Sequence, residues 1–335
     1  MSVMLDIIGL GGNPDLSAIT FADDEEWLEL RKSGIGGSDA GALMGLSPYE
    51  SPLSVYRTKV ENRVKNLDDN ANVRRGKDLE DLILTKYVQP ELRKWGYLVE
   101  KPTFIITNSK YPYLRANLDG VARSMTGTDY TSSMVIEIKC ISEYGTSNWD
   151  GPDYCGVPAY YYAQVQHYMA VTGMNVAYIF ALFDKTWTVK HYRIPRDDAF
   201  ISKMLKVLST FYNINMNMRI PPMAVLSKDS KDLVESGAPL RDNDSDTPSD
   251  EMSELVKKYK ELSASEKTLK TDIKTTQDRI FELWKTGNKP SDPNMKVNFK
   301  QIAMQRLNTA KLKQDKPDLY EQYCDESKSI RTDIR

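Results

Sequence analysis

Apolar and polar positions along the chain fall into two regimes, separated by a polar stretch at residues 226–250 (LSKDSKDLVESGAPLRDNDSDTPSD). Before it, short alternating runs and short amphipathic stretches take turns. Residues 1–23 read as an extended lead-in. A helix starts with Asp23 or Asp24 as N-cap and runs to residue 32. SGIGGSDAGALMG (33–45) reads as a Gly-rich turn and a short helix capped by Ser38 or Asp39, and SPYESPLSVYRTKVE (47–61) as a turn into another helix. Residues 74–94 place Leu79, Leu82, Ile83 and Val88 at helical spacing. YLVEKPTFIITN (97–108), YPYLRANLDGVAR (111–123) and SSMVIEIKCIS (132–142) read as strands, with MTGTDYT (125–131) as the turn between the last two. A helix follows from about Pro158 and ends at Gly173. Two strands over 175–184 and 186–194 form a hairpin, and a helix over 197–216 closes the unit. Helices, a meander of strands, a helix, a hairpin and a helix predict a mixed sheet flanked by helices, α/β or α+β in class.

After residue 250 the pattern changes. Met252, Leu255, Tyr259, Leu262, Leu269, Ile273, Ile280 and Leu283 fall on a heptad a/d stripe interrupted by Glu266 and Thr276. This predicts a long amphipathic helix, part of an antiparallel helical pair or an oligomer seam. A strand-like piece, MKVNFKQIAM (295–304), and a mixed-charge tail follow. The predicted division is a core over 1–225, a linker over 226–250 and a helical extension over 251–335.

Composition narrows the chemistry. Lys+Arg is 45 and Asp+Glu is 47, a net charge of −2, so any attraction to nucleic acid must come from a local basic groove. No apolar run reaches the ~18 residues of a membrane span, and MSVMLDIIGLGGNPD lacks the basic start and apolar core of a signal peptide. Three scattered cysteines predict reduced thiols and a cytoplasmic protein. With only two histidines, His167 and His191, His-rich zinc sites and triads with a histidine base are disfavoured. Carboxylates with a hard divalent cation are the natural alternative. There is no P-loop pattern.

VIEIKCIS (135–142) carries that chemistry. On a strand, Glu137 and Lys139 share one face, and Ile136 and Ile138 take the other. If strands 113–123 and 134–141 pair across the turn, Asp119 lies near Glu137 at the sheet's end. Asp119 and Glu137 could hold one Mg²⁺ or Mn²⁺, with the Ile138 carbonyl as a third ligand. Lys139 could orient the attacking water and stabilise charge developing on a phosphate. An isolated E-x-K is more often a strand-end ion pair, so the surrounding motifs matter.

Those motifs stand in order. RKSGIGGSDAGALMGLSPY (31–49), RRGKDLEDLI (74–83), LDG with EIK in the D-(x17)-E-x-K spacing, and YYYAQVQHYMAVTG (160–173) together resemble the bacteriophage λ exonuclease family, in its YqaJ-type viral recombinase branch. The resemblance covers roughly residues 25–215 and implies a restriction-endonuclease-like fold of the PD-(D/E)xK superfamily. It implies metal ligands at Asp119, Glu137, the Ile138 carbonyl and Glu80, with Lys139 as the catalytic lysine. Gln164 would orient water or bind the scissile phosphate, and Tyr161 would contact the phosphate backbone or serve the core. Arg31 and Ser38 resemble a pocket for a 5′-terminal phosphate. Asn117 stands where a relative carries serine near the phosphates. Arg74, Arg75 and Lys77 are candidate DNA contacts, or simply a solvated helix start.

The resemblance further implies a Mg²⁺-dependent 5′→3′ exonuclease on linear double-stranded DNA. Its 3′ overhangs would pass to a phage single-strand annealing protein, and the enzyme would be a ring-shaped homotrimer in the host cytoplasm. A sequence-specific endonuclease of the same fold, and a non-catalytic DNA-binding or assembly protein using helix 251–284 as a platform, remain alternatives. An iron–sulfur nuclease is disfavoured by the lack of a four-cysteine cluster.

Overall fold

The structure, a computed structural model, describes residues 3–63, 71–126, 132–225, 227–229, 250–292, 295–299 and 309–322. The chain divides into two compact units, Met1–Ser230 and Lys231–Arg335. In order, the first contains α1 (Val3–Ile7), β1 (Leu16–Ile19), α2 (Asp24–Lys32), β2 (Ile35–Gly36), α3 (Gly37–Leu43), α4 (Pro52–Lys59) and α5 (Ala71–Ile83). These are followed by α6 (Gln89–Lys94), β3 (Tyr97–Glu100), β4 (Ile105–Asn108), β5 (Tyr111–Ala116), β6 (Gly120–Ser124) and β7 (Met134–Ile141). Then come α7 (Ala159–Thr172), β8 (Val176–Phe183), β9 (Thr188–Pro195) and α8 (Asp198–Thr210). A π-helical stretch, Leu84–Val88, joins α5 to α6, and another, Phe211–Asn217, extends α8. The second unit holds α9 (Asp250–Lys285), α10 (Thr309–Asp315) and α11 (Pro317–Gln322).

The expected mixed sheet flanked by helices is present, but the strands form two sheets. The larger runs β3-β6-β7-β8-β9, and the smaller β1-β4-β5-β2. In the larger, β6 and β7 pair antiparallel and β7 and β8 pair parallel, so α7 is the crossover. The segment over 97–108, expected as one strand, breaks between β3 and β4, where Pro102 stands and has no N–H for a ladder. The segment over 111–123 breaks between β5 and β6, at residues 117–119. Each half then joins a different sheet, and Asp119 sits where the chain leaves the smaller sheet for the larger.

Four other local expectations need correction. The lead-in is not merely extended: it contains α1 and β1, and Leu5, Ile8 and Leu10 are buried. Neither Ser38 nor Asp39 caps α3. Gly36 is the N-cap, and Asp39 sits in the first turn, where its carboxylate accepts from Gly36 N at 2.7 Å. The span read as a linker begins within the first unit: Asp229 is buried and accepts from Ser51 Oγ at 2.5 Å, while Lys228 donates to Ser47 O at 2.6 Å. Residues 295–299 form no strand. The remainder of that linker up to 249, residues 300–304 of the strand-like piece and 127–131 of the expected turn lie outside the described residues.

Helix α7 is the axis of the first unit. Pro158 precedes it, Gly173 ends it at φ 79° in the left-handed region, and residues 162–172 are buried. Such a helix cannot be amphipathic; its polar side chains must find partners inside. Gln166 donates to Pro195 O at 2.8 Å and accepts from Asp197 N at 2.9 Å, and His167 Nε2 meets Ile35 O at 3.1 Å. Against α7 lies α3, at a contact that excludes side chains. A Cβ on Gly37 would come within 2.4 Å of the Tyr168 ring, and one on Gly41 within 2.6 Å of Tyr160 Cβ. Glycine at both positions is a packing requirement.

Candidate active site

Strand β7 presents Glu137 and Lys139 towards α7, as the alternation requires, while Ile136 and Ile138 pack in a second apolar cluster with Ile83, Leu84 and Val88. Strand β6 ends opposite Ile136, so β7 continues beyond it with one edge uncovered. Asp119 fills that edge: its Oδ2 accepts from Ile138 N at 2.7 Å. A strand residue directs its N–H and C=O to the same side, so the Ile138 carbonyl also faces the Asp119 edge.

Glu137 is 2% exposed. Its Oε1 accepts from Lys139 Nζ in a short contact and from Gln164 Nε2 at 2.7 Å. Among the described residues its Oε2 is buried without a hydrogen-bond partner. The Gln164 amide also donates to Tyr168 Oη at 3.1 Å, which fixes its orientation from two sides. The Lys139 ammonium lies 4.8 Å from the centre of the Tyr161 ring, which itself packs on Trp149.

The electrostatics are those of a charge-crowded buried site. Burial pushes the Asp119 carboxyl well above the ordinary range, and the neighbouring Glu137 and Glu80 charges push it further, against Lys139 and the Ile138 N–H. Glu137 is also raised, by burial and by Glu80, against the pull of Lys139. For Lys139, burial favours the neutral amine, but Glu137, Tyr161 and Asp119 outweigh it, and its pKa is raised. Lys139 is therefore an ammonium at neutral pH.

The remaining expected residues divide. Glu80 is near enough to act on both carboxylates, yet its Oε1 is held by Lys101 Nζ at 3.0 Å, and Lys101 also binds Asp81. Among the described residues, no three His, Cys, Asp or Glu side chains are gathered as a ready metal-binding group. Among the described residues Asn117 makes no hydrogen bond to the cluster, and its Oδ1 is buried without a partner. Arg31 and Ser38 do come together: Arg31 Nη2 donates to Ser38 Oγ at 3.1 Å, and the guanidinium lies 4.6 Å over Trp27. Behind them Lys59 holds Asp39 at 2.8 Å and donates to Gly34 O at 2.7 Å. The Asp39 carboxyl faces burial, but Lys59, Arg31 and the Gly36 N–H hold it below the usual range. Arg75 pairs with Asp184 at 2.8 Å, while Arg74 and Lys77 are exposed.

Sequence reasoning missed Tyr168, Lys101, Trp27 and Lys59. Only Tyr168 carried a local signal, since it stands four residues after Gln164 on the same helix face.

Trp27, Arg31, Ser38, Glu80, Asp119, Glu137, Lys139, Gln164 and Tyr168 all fall in one segment, residues 26–175, which matches the family model of the YqaJ-like viral recombinase domain. By this match, residues 26–175 resemble a YqaJ-like viral recombinase domain. This agrees with the resemblance carried by the ordered motifs. The chain is 26% identical over 314 residues to the uncharacterized protein YqaJ of Bacillus subtilis (strain 168), covering 93% of this chain and 94% of that one. Among solved structures, an alkaline exonuclease (LHK-Exo) from Laribacter hongkongensis is similar at 22% identity and a TM-score of 0.44, over 57% of this chain and 91% of that one. The same enzyme in complex with dAMP gives the same values. The YqaJ-like domain contains Glu80, Asp119, Glu137, Lys139 and Gln164. Among the described residues, no helix is long and apolar enough to cross a membrane.

Proposed function

We propose that the YqaJ-like domain is a divalent-metal-dependent nuclease that digests linear double-stranded DNA from its ends, 5′ to 3′, leaving 3′ single strands for annealing-type recombination. The observation that carries the reading is the convergence of Asp119, just before β6, Glu137 and Lys139, in mid-β7, and Gln164, on α7, into one cluster. A strand-end ion pair needs no second buried carboxylate and no glutamine clamp.

The donors fit a hard cation. Both carboxylates are costly to bury as anions, Glu137 Oε2 is left without a protein donor among the described residues, and the ligand atoms are all oxygen. Asp119, Glu137 and the Ile138 carbonyl would hold Mg²⁺ or Mn²⁺, with Glu80 joining on exchange from Lys101. When bound, such an ion acidifies water and offsets negative charge on a phosphoryl group.

The chain's own residues supply the rest. Lys139, charged at neutral pH, is a donor to the scissile phosphate and not a base. Gln164 spends its amide N–H groups on Glu137 and Tyr168, so its carbonyl oxygen is the group left to accept from, and orient, the attacking water. The water oxygen bonds to phosphorus as it releases a proton to solvent, the bond from phosphorus to the 3′-oxygen breaks, and that oxygen takes a proton from solvent and leaves as a hydroxyl. Arg31 with Ser38 is suited to a terminal 5′-phosphate, which a guanidinium binds through paired N–H groups. Tyr161 and Asn117 would lie along the backbone of the substrate strand. A ring-shaped trimer, a phage annealing partner and a host-cytoplasmic location are inferred from the family resemblance.

The test compares linear, nicked and circular duplexes with Mg²⁺, using 5′-phosphate and 5′-hydroxyl ends. Mg²⁺-dependent loss of linear DNA alone, faster from 5′-phosphate ends and abolished by Lys139→Ala, is expected. Equal digestion of circles would replace the exonuclease with an endonuclease. Equal rates from the two ends would remove Arg31 and Ser38 from the end pocket.

A further inference from the structure

Helix α9 is 36 residues long, about 54 Å at 1.5 Å per residue, and none of its residues is buried. Its stripe residues Met252, Leu255, Tyr259, Leu262, Leu269, Ile273, Ile280 and Leu283 are 38 to 62% exposed. Their spacing alternates three and four, with Leu at four of five d positions and Ile at the last two a positions. A 3.5-residue repeat drifts about 20° per heptad around a straight helix. Over the five heptads present, a flat sheet or membrane would lose contact with such a stripe; a second helix wound around it would not.

We propose that α9 pairs with α9 of a second copy of this chain, running in the opposite direction. The stripe is self-complementary in that sense. Met252 meets Leu283, Leu255 meets Ile280, Tyr259 meets Thr276, Leu262 meets Ile273, and Glu266 meets Leu269. Every layer keeps an apolar member. A parallel pair would set Glu266 against Glu266 and Thr276 against Thr276, placing two carboxylates in the central layer, an unfavourable like-charge contact. In the antiparallel pair each Glu266 lies alone in its layer, with its own Lys270 at 2.7 Å to neutralise it. Covering the eight apolar side chains on both copies would bury on the order of 1,200–1,600 Å², the size of a standard specific interface.

The experiment uses the full chain. In sizing with light scattering, Leu262→Glu, Leu269→Glu and Ile273→Glu combined should halve the mass of the main species, with helix content by circular dichroism retained. Direction is read by oxidative crosslinking against the unsubstituted chain as control. Met252→Cys together with Leu283→Cys should give a covalent dimer, and Met252→Cys alone should not, because two copies of residue 252 would sit ~46 Å apart at 1.5 Å per residue. An unchanged mass in the triple variant, or efficient crosslinking through Met252→Cys alone, would overturn the pairing as described.

Discussion

Removing the Lys139 ammonium should unfold this protein in a pH-dependent way that the buried Glu137 dictates. In Lys139→Met, Glu137 keeps Gln164 as its donor but loses its cation. Breaking a buried pair by deleting one partner costs about 3–5 kcal/mol. The loss has a ceiling, because the carboxylate can take a proton instead. Measured from an ordinary glutamate near 4.3, that route costs about 5 kcal/mol at pH 8 but only about 1 kcal/mol at pH 5. The native Glu137 pKa is raised, so the folded protein binds protons that the unfolded chain does not. Stability in the absence of metal therefore falls as pH rises from the ordinary carboxylate range through the raised value. Without Lys139 that window extends further upward. Urea unfolding in EDTA at pH 8 and pH 5 should show Lys139→Met costing about 3–5 kcal/mol at the higher pH and about 1 kcal/mol at the lower. In a Glu137→Gln background the same substitution should cost little at either pH, and Mg²⁺ should restore part of the loss in the single variant. A cost independent of pH, or equal in both backgrounds, would refute the electrostatic account.

Other outcomes follow from the same site and its supports. Cation binding, measured by calorimetry, should weaken on acidification while the pH is still above the ordinary carboxylate range, because the raised Asp119 and Glu137 carboxyls must first lose their protons. Tyr168→Phe, which deletes the acceptor for Gln164 but little volume, should lower kcat about tenfold, or 1.4 kcal/mol, with Tm nearly unchanged; an equal loss of Tm would mark Tyr168 as structural only. His167 is fully buried and its pKa is pushed down to about 4 by burial. The unfolded chain therefore takes the extra proton as pH falls below 6.5, and about 3 kcal/mol of stability is lost by pH 4. His167→Gln should flatten that acid limb in denaturant titrations. Gly37→Ala should destabilise by about 1–3 kcal/mol through overpacking against Tyr168, read by thermal unfolding.

What the sequence made legible is what local pattern controls. Glu137 and Lys139 on one strand face, Gly173 as a helix stop, and Asp23 as a cap accepting from Glu26 N at 2.9 Å all follow from spacing and side-chain chemistry. The split of the strands between two sheets was not legible, because each broken segment keeps β-type composition on both sides of the break and only tertiary pairing separates them. Arg31 and Ser38 were legible as a pair through ordered motifs. Lys101, which holds Glu80 across 21 positions, was not, since nothing local distinguishes it from any other surface lysine. The α3 cap was misassigned because Ser38 and Asp39 have better cap chemistry than Gly36; close approach to α7 placed the turn earlier.

The bare contact of α3 with α7 has a consequence for how such an enzyme would measure its substrate. In the proposed function, Ser38 of the strand-terminus seat rides on α3 and Gln164 of the hydrolysis seat on α7, and those two backbones touch where Gly37 and Gly41 lack side chains, which would hold the gap between the seats fixed. A rigid gap acts as a ruler: each cycle would release a fragment of one uniform size, and the chain would have to advance by that same increment before the next cut.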